Sequence, residues 1–169
     1  MSVPSHIDRE QLPATTRAIL ALLEEHTIEF RFVEHGPTRT CEESAAARGE
    51  PQSIGGKSLL LKVGPDFVLC VLSASARLDA NAVRRLRGQS GARFAKREEL
   101  AELTGLEPGS VPPFGPPILP VPLLVDEGLL ENDRIAFNAG SLEHSVVMPM
   151  APYLDLARPT LGRFSKSPT

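Results

Sequence analysis

Two apolar runs constrain this chain more than anything else in it. Leu59 to Val63 and Phe67 to Leu72 are each of strand length, and Gly64-Pro65-Asp66 between them has the makeup of a hairpin turn. A strand with one wet face alternates apolar and polar residues. These two runs are apolar on both faces, so the hairpin they predict lies inside a sheet that is covered on both sides. The cover must come from the rest of the 169 residues, a length that suits one domain (1–169) around a single core.

The flanking segments supply that cover. Asp8 to Glu25 predicts an amphipathic helix, with Leu12, Ile19, Leu20, Leu22 and Leu23 on one broad face and Asp8 as N-cap. Ile28, Phe30 and Phe32 alternate with Glu29 and Arg31, a half-buried strand. His35-Gly36-Pro37 turns the chain, and Thr40 with Glu43 makes a capping-box signature that opens a short helix ending near Gly49. Asp79 caps a predicted helix that carries Val83 and Leu86 inward and Arg84, Arg85 and Arg87 outward, closed by Gly88. A short strand at Ala92 to Ala95 precedes a helix from Arg97 to Thr104, closed by Gly105.

From Pro108 to Pro122 the chain holds seven prolines in an apolar context, which predicts an ordered loop packed on the body. Strands follow at Val121 to Val125, Arg134 to Asn138 and Ser145 to Met148, then a helix from Ala151 to Ala157. After Pro159 the residues are polar, and this tail, beyond about residue 160, is expected to fray. Strands and helices mix without strict alternation. That favours an α+β fold around a mixed, partly closed, barrel-like sheet flanked by helices.

Charge narrows the possible partners. The chain carries a net charge of −3, yet the stretch from Arg77 to Arg97 holds seven basic residues against one acid. A basic segment on an acidic body can meet phosphates locally; a solvated helix face is the other reading. With no tryptophan and one tyrosine, the composition argues against a base-stacking platform built from many aromatics. No signal peptide or membrane-spanning run is present, and Cys41 and Cys70 fit no redox or metal spacing, so a reduced, cytoplasmic protein without a membrane role is expected.

Standard catalytic patterns fail one by one. Gly55-Gly56-Lys57-Ser58 looks like the end of a phosphate-binding loop, but Pro51 stands where the full pattern needs glycine, and the motif leads into a strand rather than a helix. The four histidines, His6, His26, His35 and His144, lack zinc spacing, so no metal is expected. No nucleophile elbow is present, and Cys41 would need a basic partner to act as a nucleophile. The chain shows no standard covalent catalyst; a hydrolase built from it would work by positioning and polarising, with water as nucleophile.

Several segments, taken in order, resemble the YbaK / prolyl-tRNA-synthetase-associated editing domain family. Lys57-Ser58-Leu59-Leu60 is similar to that family's lysine-plus-strand signature, and Gly109-Ser110-Val111-Pro112-Pro113 to its glycine-x-x-x-proline loop. His35 to Glu43, with Pro37 and Thr40, resembles its early histidine-proline-threonine-acid segment. Thr104 to Phe114 and Phe137 to Gly140 resemble the late segments of its free-standing members. Some relatives carry a histidine near the position of Asn138, where this chain has asparagine. The likeness spans about residues 12 to 160.

The resemblance implies a trans-editing deacylase that hydrolyses the ester of a tRNA mischarged with a small amino acid, serine or threonine ahead of alanine or cysteine, without metal, cofactor or covalent intermediate. It implies Lys57 as the catalytic residue. Gly109, Ser110, Pro113, Ser58, Asn138, His35 and Thr40 would surround the substrate, and Arg84, Arg85 and Arg87 would contact the acceptor end of the tRNA. A synthetase is a further partner it implies; the oligomeric state stays open. The alternative is a non-catalytic module of the same fold that binds tRNA or a synthetase.

Overall fold

In the computed structural model, which describes residues 3–167, the central hairpin is where the apolar runs put it. β2 (Gly56–Val63) and β3 (Asp66–Ser73) pair antiparallel along their whole length. They lie within a five-stranded mixed sheet of order β5-β2-β3-β6-β9, with β5 (Ala92–Phe94), β6 (Leu123–Asp126) and β9 (Thr160–Gly162). The β3–β6 and β6–β9 pairs are parallel.

Both faces of the hairpin are dry. Leu60, Leu69 and Val71 point into the larger core, with Phe114, Ile135, Phe137, Val146 and Tyr153. Leu61, Val63, Val68, Cys70 and Leu72 point the other way, into a second cluster closed by Ala82, Val83 and Phe164. Each fully buried Leu, Val or Phe contributes about 1.5–3 kcal/mol relative to exposure. The Cys70 thiol, wrapped in this second cluster, is pushed up to about 12 by burial and is inert.

The larger core lies between this sheet and a three-stranded one of order β1-β8-β7, formed by β1 (Arg31–Glu34), β7 (Arg134–Asn138) and β8 (His144–Pro149). The two sheets meet through one parallel bridge, Gly55 to Ala136. A side chain at Gly56 would come within 2.9 Å of the Ile135 Cδ1 atom, so glycine is what lets the backbones approach. The α+β architecture expected from sequence is present, but its barrel-like closure is corrected: among the described residues the strands form distinct sheets, joined at this one bridge, and no closed barrel forms.

Five helices flank the sheets: α1 (Ala14–Glu25), α2 (Cys41–Arg48), α3 (Ala80–Leu86), α4 (Arg97–Thr104) and α5 (Met150–Ala157). The first helix begins later than its apolar pattern predicts. Pro13 splits the segment, and Asp8 instead caps a separate 3-10 turn, Arg9–Gln11. β1 also starts later than the alternation at Ile28 to Phe32 implied. Leu86, expected inward, is 50% exposed because α3 ends there. The proline-rich segment is ordered without regular structure, with Val111, Phe114, Leu119 and Val121 buried and the Tyr153 hydroxyl donating to the Pro113 carbonyl at 2.6 Å.

The expectation of a frayed tail is also corrected. β9 pairs with β6, and β10 (Ser165–Lys166) pairs with β4 (Arg77–Leu78), while Phe164 is buried. Residues 168–169 lie outside the described residues. The tail's polar residues concealed its anchor, Asp126. This buried carboxylate accepts from the Phe164 N–H at 2.7 Å, the Ser165 N–H at 3.0 Å and the Ser165 hydroxyl at 2.7 Å. Hydrogen bonds to a charged acceptor are worth about 1.5–3 kcal/mol each and are not additive. Asp126→Ala is expected to lower the unfolding free energy by about 3 kcal/mol in urea denaturation. A loss within experimental error would remove the carboxylate as the tail's anchor.

Candidate functional site

The bridge between the sheets leaves a cleft at the start of β2. β2 contributes Gly56, Lys57 and Ser58, α2 and the turn before it contribute Thr40, Cys41 and Arg48, and Gly109, Val111 and Asn138 close the far side. The capping box expected from sequence is present: Thr40 Oγ1 accepts from the Glu43 N–H, and the Glu43 carboxylate accepts from the Thr40 N–H. It fixes where α2 begins and so where Thr40 and Cys41 face the cleft.

The sign of the lining is one-sided. Arg39, Arg48 and Lys57 line the cleft, and no carboxylate does. The Lys57 ammonium donates to the Ala76 carbonyl. An ammonium has three N–H donors, so two remain for a ligand. Beside it, the Ser58 hydroxyl is buried and, among the described residues, is the one such side-chain atom without a partner. Leaving a buried hydroxyl unsatisfied costs about 1–3 kcal/mol.

Gly109 has a φ of +89°, a conformation that favours glycine, and its carbonyl accepts from the Asn138 side-chain amide at 2.7 Å. The Asn138 Oδ1 atom in turn accepts from Arg48 Nη2 at 3.0 Å and from the Ser145 hydroxyl at 3.0 Å. Arg48 Nε donates to Ser145 Oγ at 2.9 Å. Arg48 is 8% exposed, and burial brings its guanidinium down to about 10, so it stays charged at neutral pH.

Of the residues singled out from sequence, Lys57, Ser58, Thr40, Gly109 and Asn138 line this cleft together. His35, Ser110 and Pro113 do not. The His35 ring lies behind the wall, with Nε2 against Ser145 Oγ at 2.8 Å and Nδ1 against the Gly36 carbonyl at 2.8 Å. Ser110 is buried, and its hydroxyl donates to the Glu107 carbonyl at 2.8 Å. Pro113 is held by Tyr153. Arg84 and Arg85 are on α3 and Arg87 is its C-cap, all away from the lining; Arg84 donates to the Gln89 carbonyl and Arg85 is exposed. Arg93, in the same basic stretch, is spent on Glu99.

Arg48 and Ser145 were missed in the sequence reading. Arg48 looks like an ordinary basic residue in the last turn of a helix, and only its tertiary surroundings set it apart. Cys41 lines the cleft, but no histidine does, so the base a thiol nucleophile would need is missing from the lining. Among the described residues no group of three His, Cys, Asp or Glu side chains is placed to hold a metal ion. Nor is any helix there long and apolar enough to cross a membrane.

Glu50 braces the back of the site. Its carboxylate pairs with Arg134 at 2.8 Å and Arg31 at 2.6 Å, and Arg31 also donates to the Arg48 carbonyl. The hydrogen bond from Arg134, then that from Arg31, holds Glu50 below the usual carboxylate range. A carboxylate depressed in the folded state adds stability above its unfolded value near 4.5, and loses it as pH falls through the folded value. Glu50→Gln is therefore expected to destabilise at pH 7 and to converge with the parent protein as the pH drops well below 4, in melts across that range. A difference that does not change with pH would contradict this.

Comparison with known proteins gives a consistent answer. A family model described as an aminoacyl-tRNA editing domain matches residues 35–156. The multifunctional Ser/Thr-tRNA deacylase ProXp-y of Escherichia coli (strain K12) is 36% identical over 159 residues, covering 90% of this chain and 94% of its own length. The prolyl-tRNA editing protein ProX of Acetoanaerobium sticklandii is 26% identical over 137 residues, covering 78% and 84%. A solved structure described as a candidate trans-editing enzyme for prolyl tRNA synthetase superposes with a TM-score of 0.79 at 30% identity, covering 93% of this chain and 100% of the other.

Proposed function

The chain belongs to the aminoacyl-tRNA editing domain family, and from that premise we propose that it is a trans-editing deacylase that removes serine or threonine from mischarged tRNA. The observation that carries the reading is the meeting of Lys57, Ser58, Gly109 and Asn138 at one cleft whose charged lining residues are all cations. A tRNA end brings phosphates and an ester already prone to hydrolysis. Positioning and charge suffice for such a substrate, and no covalent catalyst is needed.

In this reading Lys57 holds the phosphate or neighbouring oxygens of the terminal adenosine with its two free N–H groups, the third being fixed on Ala76. The Gly109 loop offers backbone groups to the ester, at a point where no side chain intervenes. Water attacks with help from the ribose 2′-hydroxyl. Thr40 borders the entrance, while His35, Ser110 and Pro113 support the walls. The basic stretch begins at Arg77, one residue after the carbonyl that holds Lys57, and Arg84, Arg85 and Arg87 extend contact along the acceptor stem. Binding is then salt-sensitive. A cytoplasmic site of action goes with this substrate.

The unpaired Ser58 hydroxyl accounts for the amino-acid preference. A pocket that hydrogen-bonds a substrate hydroxyl discriminates against an analogue lacking it more strongly than an apolar pocket discriminates by size.

Deacylation of tRNAs charged with serine, threonine, alanine, cysteine and proline tests the whole. The parent protein is expected to release serine and threonine fastest. Lys57→Ala is expected to lose about 10²-fold or more in kcat/KM while keeping its melting temperature. Near-normal rates in that variant would remove Lys57 from the mechanism, and no release of any amino acid by the parent protein would leave a binding module. Ser58→Ala is expected to cost about threefold to tenfold on serine and threonine and little on alanine. An equal loss on all three would sever Ser58 from specificity.

A further inference from the structure

We propose that Arg48 is a positioning residue: its buried guanidinium holds the Asn138 side chain so that the Asn138 amide fixes the Gly109 carbonyl at the edge of the cleft. The inference rests on the editing reading for its catalytic consequence, and on geometry alone for the strut itself.

The hydrogen bonds leave Asn138 only one orientation. Its Oδ1 atom faces two donors, Arg48 Nη2 and the Ser145 hydroxyl, and its Nδ2 atom faces one acceptor, the Gly109 carbonyl. Turned over, the amide would set donors against donors and oxygen against oxygen. Arg48 enforces this orientation from one end, with its Nε anchored on Ser145 so that the planar group cannot swing. The side chain of Asn138 thus works as a strut between a fixed cation and a glycine at φ +89° that has no side chain of its own to anchor it.

Packing alone does not explain an arginine here. Both side-chain partners of its guanidinium are neutral, and the nearby Glu50 carboxylate acts on it only through space, its own hydrogen bonds going to Arg31 and Arg134. A buried cation without a paired anion is costly, and an apolar side chain of similar size fills such a space at less cost. What an apolar side chain lacks is a pair of donors in one plane, spaced to hold Ser145 and Asn138 together. Lysine also lacks it, having a point charge instead of a fork. The strut sets the distance between the Gly109 edge of the cleft and Lys57 across it. A displacement of about 1 Å between groups that must meet a reacting ester can cost about 10²-fold in rate.

The test compares Arg48→Lys, Arg48→Met and Asn138→Asp with the parent protein. The measurements are steady-state deacylation, its salt dependence, thermal melting, and amide hydrogen exchange at Ser110 and Gly140, the latter N–H being bonded to the Ser110 carbonyl at 2.9 Å. Asn138→Asp retains the acceptor for Arg48 and loses the donor to Gly109, so it keeps the fold and frees the loop. The expected result for Arg48→Lys is a fall in kcat of about tenfold or more, KM within about twofold, an unchanged salt slope and faster exchange at both amides; Arg48→Met and Asn138→Asp are expected to show the same fall in kcat and faster exchange, their KM and salt slope shifting with the charge each alters.

A raised KM with a shallower salt slope in Arg48→Lys would mean that the guanidinium binds a tRNA phosphate directly, and would overturn the strut. So would a lower melting temperature with unchanged kcat and exchange. If the parent protein releases no amino acid, the editing reading fails, and amide exchange in the free variants still decides the strut.

Discussion

Two strands come closer here than side chains normally permit, and the site follows from that approach. Gly55 bridges Ala136 because Gly56 presents nothing to Ile135, where a β-carbon would collide. Side chains alternate along a strand, so residues two positions beyond each contact share its face. Ser58 is two beyond Gly56 and Asn138 two beyond Ala136, and both line the cleft. Lys57 lies between, on the opposite face of β2, at an open strand end where its ammonium can still reach the cavity. A wider separation of the sheets would leave the same residues in the chain but scatter them in space.

The framework of the fold was readable because it rests on local rules. Two runs apolar on both faces demanded a covered hairpin, and the Thr40–Glu43 box marked the first turn of α2 to the residue. Where local signals competed, the pattern misled. The apolar stripe from Leu12 to Leu23 runs through Pro13, and the periodicity continued where the backbone did not. The tail after Pro159 reads as solvent-facing because most of its side chains are, yet its backbone is wanted by β6 and by the Asp126 carboxylate. Pairing through main-chain groups leaves little trace in side-chain polarity.

The site was legible in part, and for a different reason. That Lys57, Gly109 and Asn138 would share one cleft was anticipated through the order of short segments that resemble a family, since no one of those segments has intrinsic chemistry strong enough to announce itself. Arg48 stayed hidden because its place at the cleft is a matter of where it is buried. Nothing in the run of α2 distinguishes a guanidinium that reaches water from one that reaches Ser145 and Asn138 across the fold. His35 and Ser110 were drawn into the site by that same resemblance, and the structure gives them a quieter task, holding Ser145 and the 107–110 turn in place.

The parallel pairing of β6 with β9 has a consequence for how the protein is made. β6 is flanked by β3, which precedes it in the chain, and by β9, which comes much later. A chain growing on the ribosome can form the β2–β3 hairpin early, but it must leave one edge of β6 unpaired until residues 160–162 emerge. An apolar strand with an open edge is a template for other chains. The interval between synthesis of the two strands is then one in which β6 presents such an edge. A polar C-terminal segment that reads as dispensable is what closes that interval.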